Sequence, residues 1–132
     1  YVYQPKIDIF LKNTFLKIIS NKGTIAYDKN LVLLENKTEI SGKVNKKNIL
    51  GKAGKIDIDL NKKKLSSNEI ILFIDKYEIS VKEIILNDDE VVFKGSPIFL
   101  KDNEGLITET SVVKLKSNGE LIFPSKLNIK NY

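Results

Sequence analysis

Between Ile56 and Leu60 the residues alternate strictly, with Ile56, Ile58 and Leu60 separated by Asp57 and Asp59. An extended strand sends successive side chains to opposite faces, so this spacing makes one face apolar and the other carboxylate. A helix, with its period near 3.6, would scatter both sets around its surface. The stretch around it, Ile49 to Val81, carries the plan further. Asn61-Lys62-Lys63-Lys64 is a polar turn, Leu65 to Ile74 a second β-rich segment, Asp75-Lys76 another turn, and Tyr77, Ile79 and Val81 resume the alternation.

The rest of the chain reads as copies of that unit. Ile7, Ile9 and Leu11 alternate behind Pro5, which suits the start of an edge strand, although Phe10 intrudes on the polar side. Thr14 to Ser20 is a second run. A helix over residues 7–19 is declined, because the β-branched content is high and alanine is missing there. Tyr27 precedes the turn Asp28-Lys29-Asn30, then Leu31 to Glu35 and Ile40 to Val44 follow. Gly42 inside a strand pattern predicts a bulge or a close backbone approach, and Asn45 to Asn48 a polar turn. Gly51 and Gly54 mark a bend rather than a phosphate loop. A third unit joins Ile84 to Leu86 with Val91 to Phe93 and Ile98 to Leu100; a fourth joins Val112 to Leu115 with Leu121 to Phe123. Tyr27, Leu60, Leu86 and Leu115 end the first strand of successive units, an irregular repeat of roughly thirty residues. Leu127 and Ile129 alternate in a last strand. Sustained helical periodicity is missing, so the fold class is all-β, in one domain spanning residues 1–132.

Composition narrows the chemistry. The chain has no histidine and no cysteine, which removes Ser-His-Asp and Cys-His nucleophiles and ordinary zinc sites. Its net charge is +5, but all 22 basic residues are lysine. Without arginine, bidentate reading of guanine or phosphate is lost, and the lysines are interleaved with acids as on solvated strands, so no nucleic-acid partner is expected. The chain begins at Tyr1 and contains no methionine, from which the expectation is that an N-terminal signal or membrane anchor has been removed.

Ile25-Ala26-Tyr27-Asp28 followed by Leu31 to Gly42, and Ala53 to Leu60 followed by Leu65, resemble the "A…YD…L…G" units of the periplasmic lipopolysaccharide-transport proteins, LptA, LptC and the OstA-like domain. Phe93-Lys94-Gly95-Ser96-Pro97-Ile98, then Leu106-Ile107-Thr108 leading to Leu115 and Leu121, is similar to their closing repeats. The resemblance covers roughly residues 14–123. Gly95 is followed here by Ser-Pro, and Ser66 or Ser67 stands where the pattern has glycine. The resemblance implies an antiparallel, incompletely closed jelly roll, apolar inside, that shields acyl chains of lipopolysaccharide or a related glycolipid and joins neighbouring domains of its kind, or itself, edge to edge. It implies a periplasmic location, anchored to the inner membrane in the LptC-like arrangement and free in the LptA-like one. No cofactor, metal or enzymatic activity is implied.

On that reading the groove is lined by Ile56, Ile58, Leu60, Ile70, Leu72, Ile74, Tyr77, Ile79, Val81, Val91, Phe93, Ile98, Leu100, Val113, Leu115, Leu121 and Phe123. The same alternation describes an ordinary sealed sandwich core. Residues 70–74 are apolar on both faces, so alternation leaves their inward face open. The edge strands would be those of Ile7, Ile9 and Leu11 and of Leu127 and Ile129, available for β-augmentation unless their lysines act as gatekeepers. Asp57 and Asp59 share a face at a spacing a glycosidase pair could use, and Asp88-Asp89-Glu90 and Asp102-Asn103-Glu104-Gly105 offer hard oxygens for calcium; solvated strand and turns account for all three. The alternative function is an extracellular β-sandwich adhesion or carbohydrate-binding module. A conduit predicts an apolar cavity open at both ends, and an adhesion module predicts a closed core with function in its loops.

Overall fold

In the computed structural model, which describes residues 2–123 and 128–130, strand follows strand with no helix among the described residues. The first eight are short: β1 (Val2–Tyr3), β2 (Lys6–Leu11), β3 (Thr14–Ile19), β4 (Lys22–Ala26), β5 (Leu31–Glu35), β6 (Thr38–Val44), β7 (Lys47–Ala53) and β8 (Ile56–Asp59). Four long strands follow, β9 (Lys64–Ile74), β10 (Tyr77–Leu86), β11 (Glu90–Lys101) and β12 (Ile107–Lys116), then β13 (Leu121–Ile122) and β14 (Asn128–Lys130). The turns are tighter than expected, since Lys47 and Asn48 already belong to β7, Lys64 to β9, Glu90 to β11 and Lys116 to β12.

The pairing reveals a simpler plan. β9 pairs with β8 through Lys64–Ser66 and with β7 through Ile70–Ile74, so β7 and β8 are two arms of one bent strand lying beside it. β1 and β2 lie in the same way against β4 and β3, β3 and β4 against β6 and β5, and β5 and β6 against β8 and β7. β13 and β14 both lie on β12. The described chain is therefore an antiparallel meander of bent strands, in which each neighbour in sequence is the neighbour in space. One arm of every strand builds a first sheet, β1-β4-β5-β8 continuing through β9–β12 to β13; the other builds a second, β2-β3-β6-β7 continuing to β14. Among the described residues the strands at the two ends do not pair with each other, so this is an antiparallel, incompletely closed jelly roll.

The corners line up as a spine across the strands. Asn36 and Lys37 turn theirs with φ of 62° each, and register shifts between Val81 and Glu83 and between Lys94 and Ile98 bend β10 and β11. Buried hydroxyls stitch the spine: Ser20 Oγ donates to the Glu35 carbonyl and accepts from Thr38 Oγ1. Opposite the spine, the hairpin turns form two rims. Tyr27, Leu60, Leu86 and Leu115 all fall at the first sheet's rim, so the thirty-residue repeat is one pair of bent strands.

Candidate functional site

The side chains between the sheets fall into rows that cross the strands. In the second sheet, Ile7, Ile18, Ile40, Gly51, Leu72, Ile79, Leu100 and Thr108 stand in direct register from β2 to β12. In the first sheet, Ile25, Val32, Ile58, Leu65, Ile84, Phe93 and Val113 do the same from β4 to β12. A meander of bent strands places inward residues at equal distances from the spine, which is why local alternation becomes a continuous apolar strip. The strips run across the strands, from one open edge of the roll towards the other.

Thirteen of the expected lining residues are buried in one contiguous core: Ile56, Ile58, Ile70, Leu72, Ile74, Ile79, Val81, Val91, Phe93, Ile98, Leu100, Val113 and Leu115. Ile70, Leu72 and Ile74 settle which face of β9 turns inward; Phe73 points out and is 41% exposed. Tyr77, Leu121 and Phe123 are half-buried at the rims, with the Tyr77 and Phe123 rings edge to face at 5.8 Å. Leu60 is a correction. It lies past the end of β8 and is 44% exposed, because Asp59 Oδ1 accepts the backbone N–H groups of Asn61 and Lys62 and turns the chain before the alternation runs out. Leu16, Ile18, Val32, Leu34, Ile40, Val44, Ile49, Leu65, Ile84 and Leu86 also line the interior. The alternation in Thr14–Ile19 and Leu31–Glu35 was the signal for the first four. Among expected edge residues, Ile7, Ile9 and Leu11 are half-buried on β2, whose one partner among the described residues is β3. Ile129 lies on β14 opposite Thr108, and Leu127 lies outside the described residues.

Among the described residues the interior is closely packed: a void of about 10 Å³, lined by Leu16, Leu72, Ile84 and Phe93 among others, holds at most about one water, and the apolar cavity open at both ends expected of a conduit is not found there. The buried polar groups among the described residues are Thr14, Ser20, Thr38, Asn45 and Thr110, none of them ionisable. Asn45 bridges the two rims: its Nδ2 donates to the Leu115 carbonyl at 2.8 Å, while its buried Oδ1 has no partner among the described residues.

The carboxylates have local duties. Asp59 caps its turn, and Asp102 Oδ1 accepts from the backbone of Glu104 and Leu106. Glu90 lies 3.0 Å from Lys116 and 3.8 Å from Lys114. The hydrogen bond from Lys116 holds its carboxyl below the ordinary value, against an opposing push from burial, with Lys114 adding to the depression. No group of three or more His, Cys, Asp or Glu among the described residues is arranged to hold a metal. Outside the roll, an open groove of about 700 Å³ lies along the spine between Lys37, Lys52, Lys55, Glu35, Glu39 and Glu69. Compared with protein-family models, curated proteins and solved structures, the chain matches none.

Proposed function

We propose that this chain is a non-enzymatic component of a lipid-transport bridge, taking acyl chains of lipopolysaccharide or a related glycolipid between its two sheets and joining similar rolls through its edge strands. The observation that carries the reading is the pair of apolar strips that cross the roll from β2 and β4 to β12, together with the resemblance of residues 14–123 to the periplasmic lipopolysaccharide-transport proteins. The second-sheet strip begins on β2, whose one partner among the described residues is β3, and a neighbouring roll could extend the sheet at that edge.

With the interior closely packed, the acyl chain enters by parting the rims. The interior side chains then exchange contacts with one another for contacts with the guest. A chain of about a dozen methylenes gains roughly 10 kcal/mol on leaving water, equivalent to keeping some 400 Å² of apolar surface dry. That gain is large enough to offset a loosened rim. The spine, stitched by Ser20 and Thr38, serves as the fixed side of the opening.

The closed core favours one other reading, a β-sandwich adhesion or carbohydrate-binding module acting through its surface. Titrating methyl-labelled protein with a soluble lipid A derivative separates the two. The bridge reading expects shifts at inward methyls such as Ile58, Ile79 and Val113. Shifts confined to turns or the spine groove with a glycan, and none inside with the lipid, would sustain the adhesion module instead.

A further inference from the structure

We infer that Asn45 is a clasp holding the two rims together, and that its release is the step that admits a guest to the interior; the inference rests on the lipid reading above. Asn45 and Lys46 form the two-residue turn between β6 and β7, with φ of 46° and 70°. That turn belongs to the second sheet. Its backbone N–H donates to the Asn13 carbonyl of the neighbouring turn at 2.8 Å, which fixes it within its own rim. Its side chain then reaches across to the Leu115 carbonyl on β12 of the first sheet.

The bond is buried, so water does not compete for it while the roll is shut. Yet the same amide leaves Oδ1 buried and, among the described residues, unpaired. Closure therefore gains one hydrogen bond and gives up the hydration of one carbonyl, two effects of similar size and opposite sign. A clasp built only for stability would pair both atoms. This one sits near balance, as a rim that must open requires. Asparagine suits the position on both counts, since it tolerates positive φ and carries a donor.

The surroundings agree with a mouth at this point. Immediately beside the clasp a groove of about 460 Å³ runs between the rims, with Lys47, Asp75 and Tyr77 on the second sheet's side and Gly119, Leu121 and Phe123 on the other, and the Tyr77 and Phe123 rings meet across it edge to face at 5.8 Å as a second, apolar contact between the rims. The Lys47–Asp75 ion pair, 2.8 Å, stays within one rim and does not bridge the two. Gly119 approaches the turn closely, and a Cβ built on it would lie 3.6 Å from Lys46 Cβ. That is disulfide range, in a chain with no other cysteine.

The test combines two clasp variants with a lock. Asn45→Asp keeps the shape and the turn but cannot donate; Asn45→Gly keeps the turn and removes the side chain. Uptake of a dansyl-labelled undecanoic acid is followed by fluorescence, and amide exchange is measured at the rims. Asn45→Asp, which loses the donor and sets a carboxylate against the Leu115 carbonyl, should take up the probe at least roughly 2- to 10-fold faster than wild type, with faster exchange around Leu115, whereas Asn45→Gly, which removes the bond and the unpaired carbonyl together, should stay within about 2-fold. A Lys46→Cys, Gly119→Cys pair should refuse the probe when oxidised and accept it when reduced, and comparing its two redox states cancels any strain at Gly119, whose φ is 91°. Wild-type uptake rates in Asn45→Asp, or undiminished uptake by the oxidised pair, would overturn the clasp while leaving the lipid reading intact. Failure of wild type, clasp variants and reduced pair alike to take up the probe would overturn the lipid reading, and the gating role with it.

Discussion

Gly42 on β6 lies against the backbone of Phe15 on β3, so close that a Cβ on Gly42 would stand 2.0 Å from the Phe15 carbonyl oxygen. No side-chain adjustment relieves that contact, because the obstacle is main chain. Its φ of 155° adds a backbone conformation unsuited to other residues. Gly42→Ala is expected to destabilise the protein by about 1–3 kcal/mol through overpacking. Urea denaturation should show a lower midpoint with an unchanged slope.

Ile58 and Leu60 looked equivalent in the alternating pattern and differ in the structure, at 2% and 44% exposure. Ile58→Ala should cost about 2–5 kcal/mol, the range for deleting a buried aliphatic side chain. Leu60→Ala should stay within about 0.5 kcal/mol of wild type. Thermal unfolding of the two variants side by side checks the corrected boundary of the lining.

That pair also shows how far the sequence carries. Alternation located the strands and the inward face at Ile56 and Ile58, because period two is a property of any strand with one buried side. It failed at Leu60, where the Asp59 carboxylate ends the strand through hydrogen bonds that no hydropathy pattern encodes. The spine was partly legible. Gly54 falls at one corner, but Asn36-Lys37 turns another with positive φ and contains neither glycine nor proline. Asn45 read only as part of a polar turn. Its role depends on Leu115, seventy residues away, and such contacts exist only once the meander has folded.

Acid should weaken the rim held by Glu90. Its folded pKa lies below the ordinary value near 4.5, so the contribution of its pairing with Lys116 and Lys114 is complete above that value and is lost as pH falls through the depressed folded one. Glu90→Gln should lower stability at neutral pH and flatten the decline below about pH 4.5. Urea midpoints compared across pH 7 to 3 would show it, and an unchanged acid slope would count against the pairing.

On the outer face Leu50 stands directly opposite Phe73, and both are exposed, at 61% and 41%. Phe73→Ser is expected to cost no more than about 1 kcal/mol, the scale of one cross-strand pair, while Leu72→Ala next to it should cost about 2–5 kcal/mol. Chemical denaturation of the two variants tests which face of β9 carries the core.

The central claim is that lipid lies between the sheets, in contact with the inward strips. Photocrosslinking from a reactive phenylalanine analogue placed at Phe93, with the same analogue at Phe73 as the outward control, tests it most directly. In the presence of lipopolysaccharide the account predicts capture of the glycolipid from position 93 and little from 73. Equal capture at both positions, or none at 93, would contradict it.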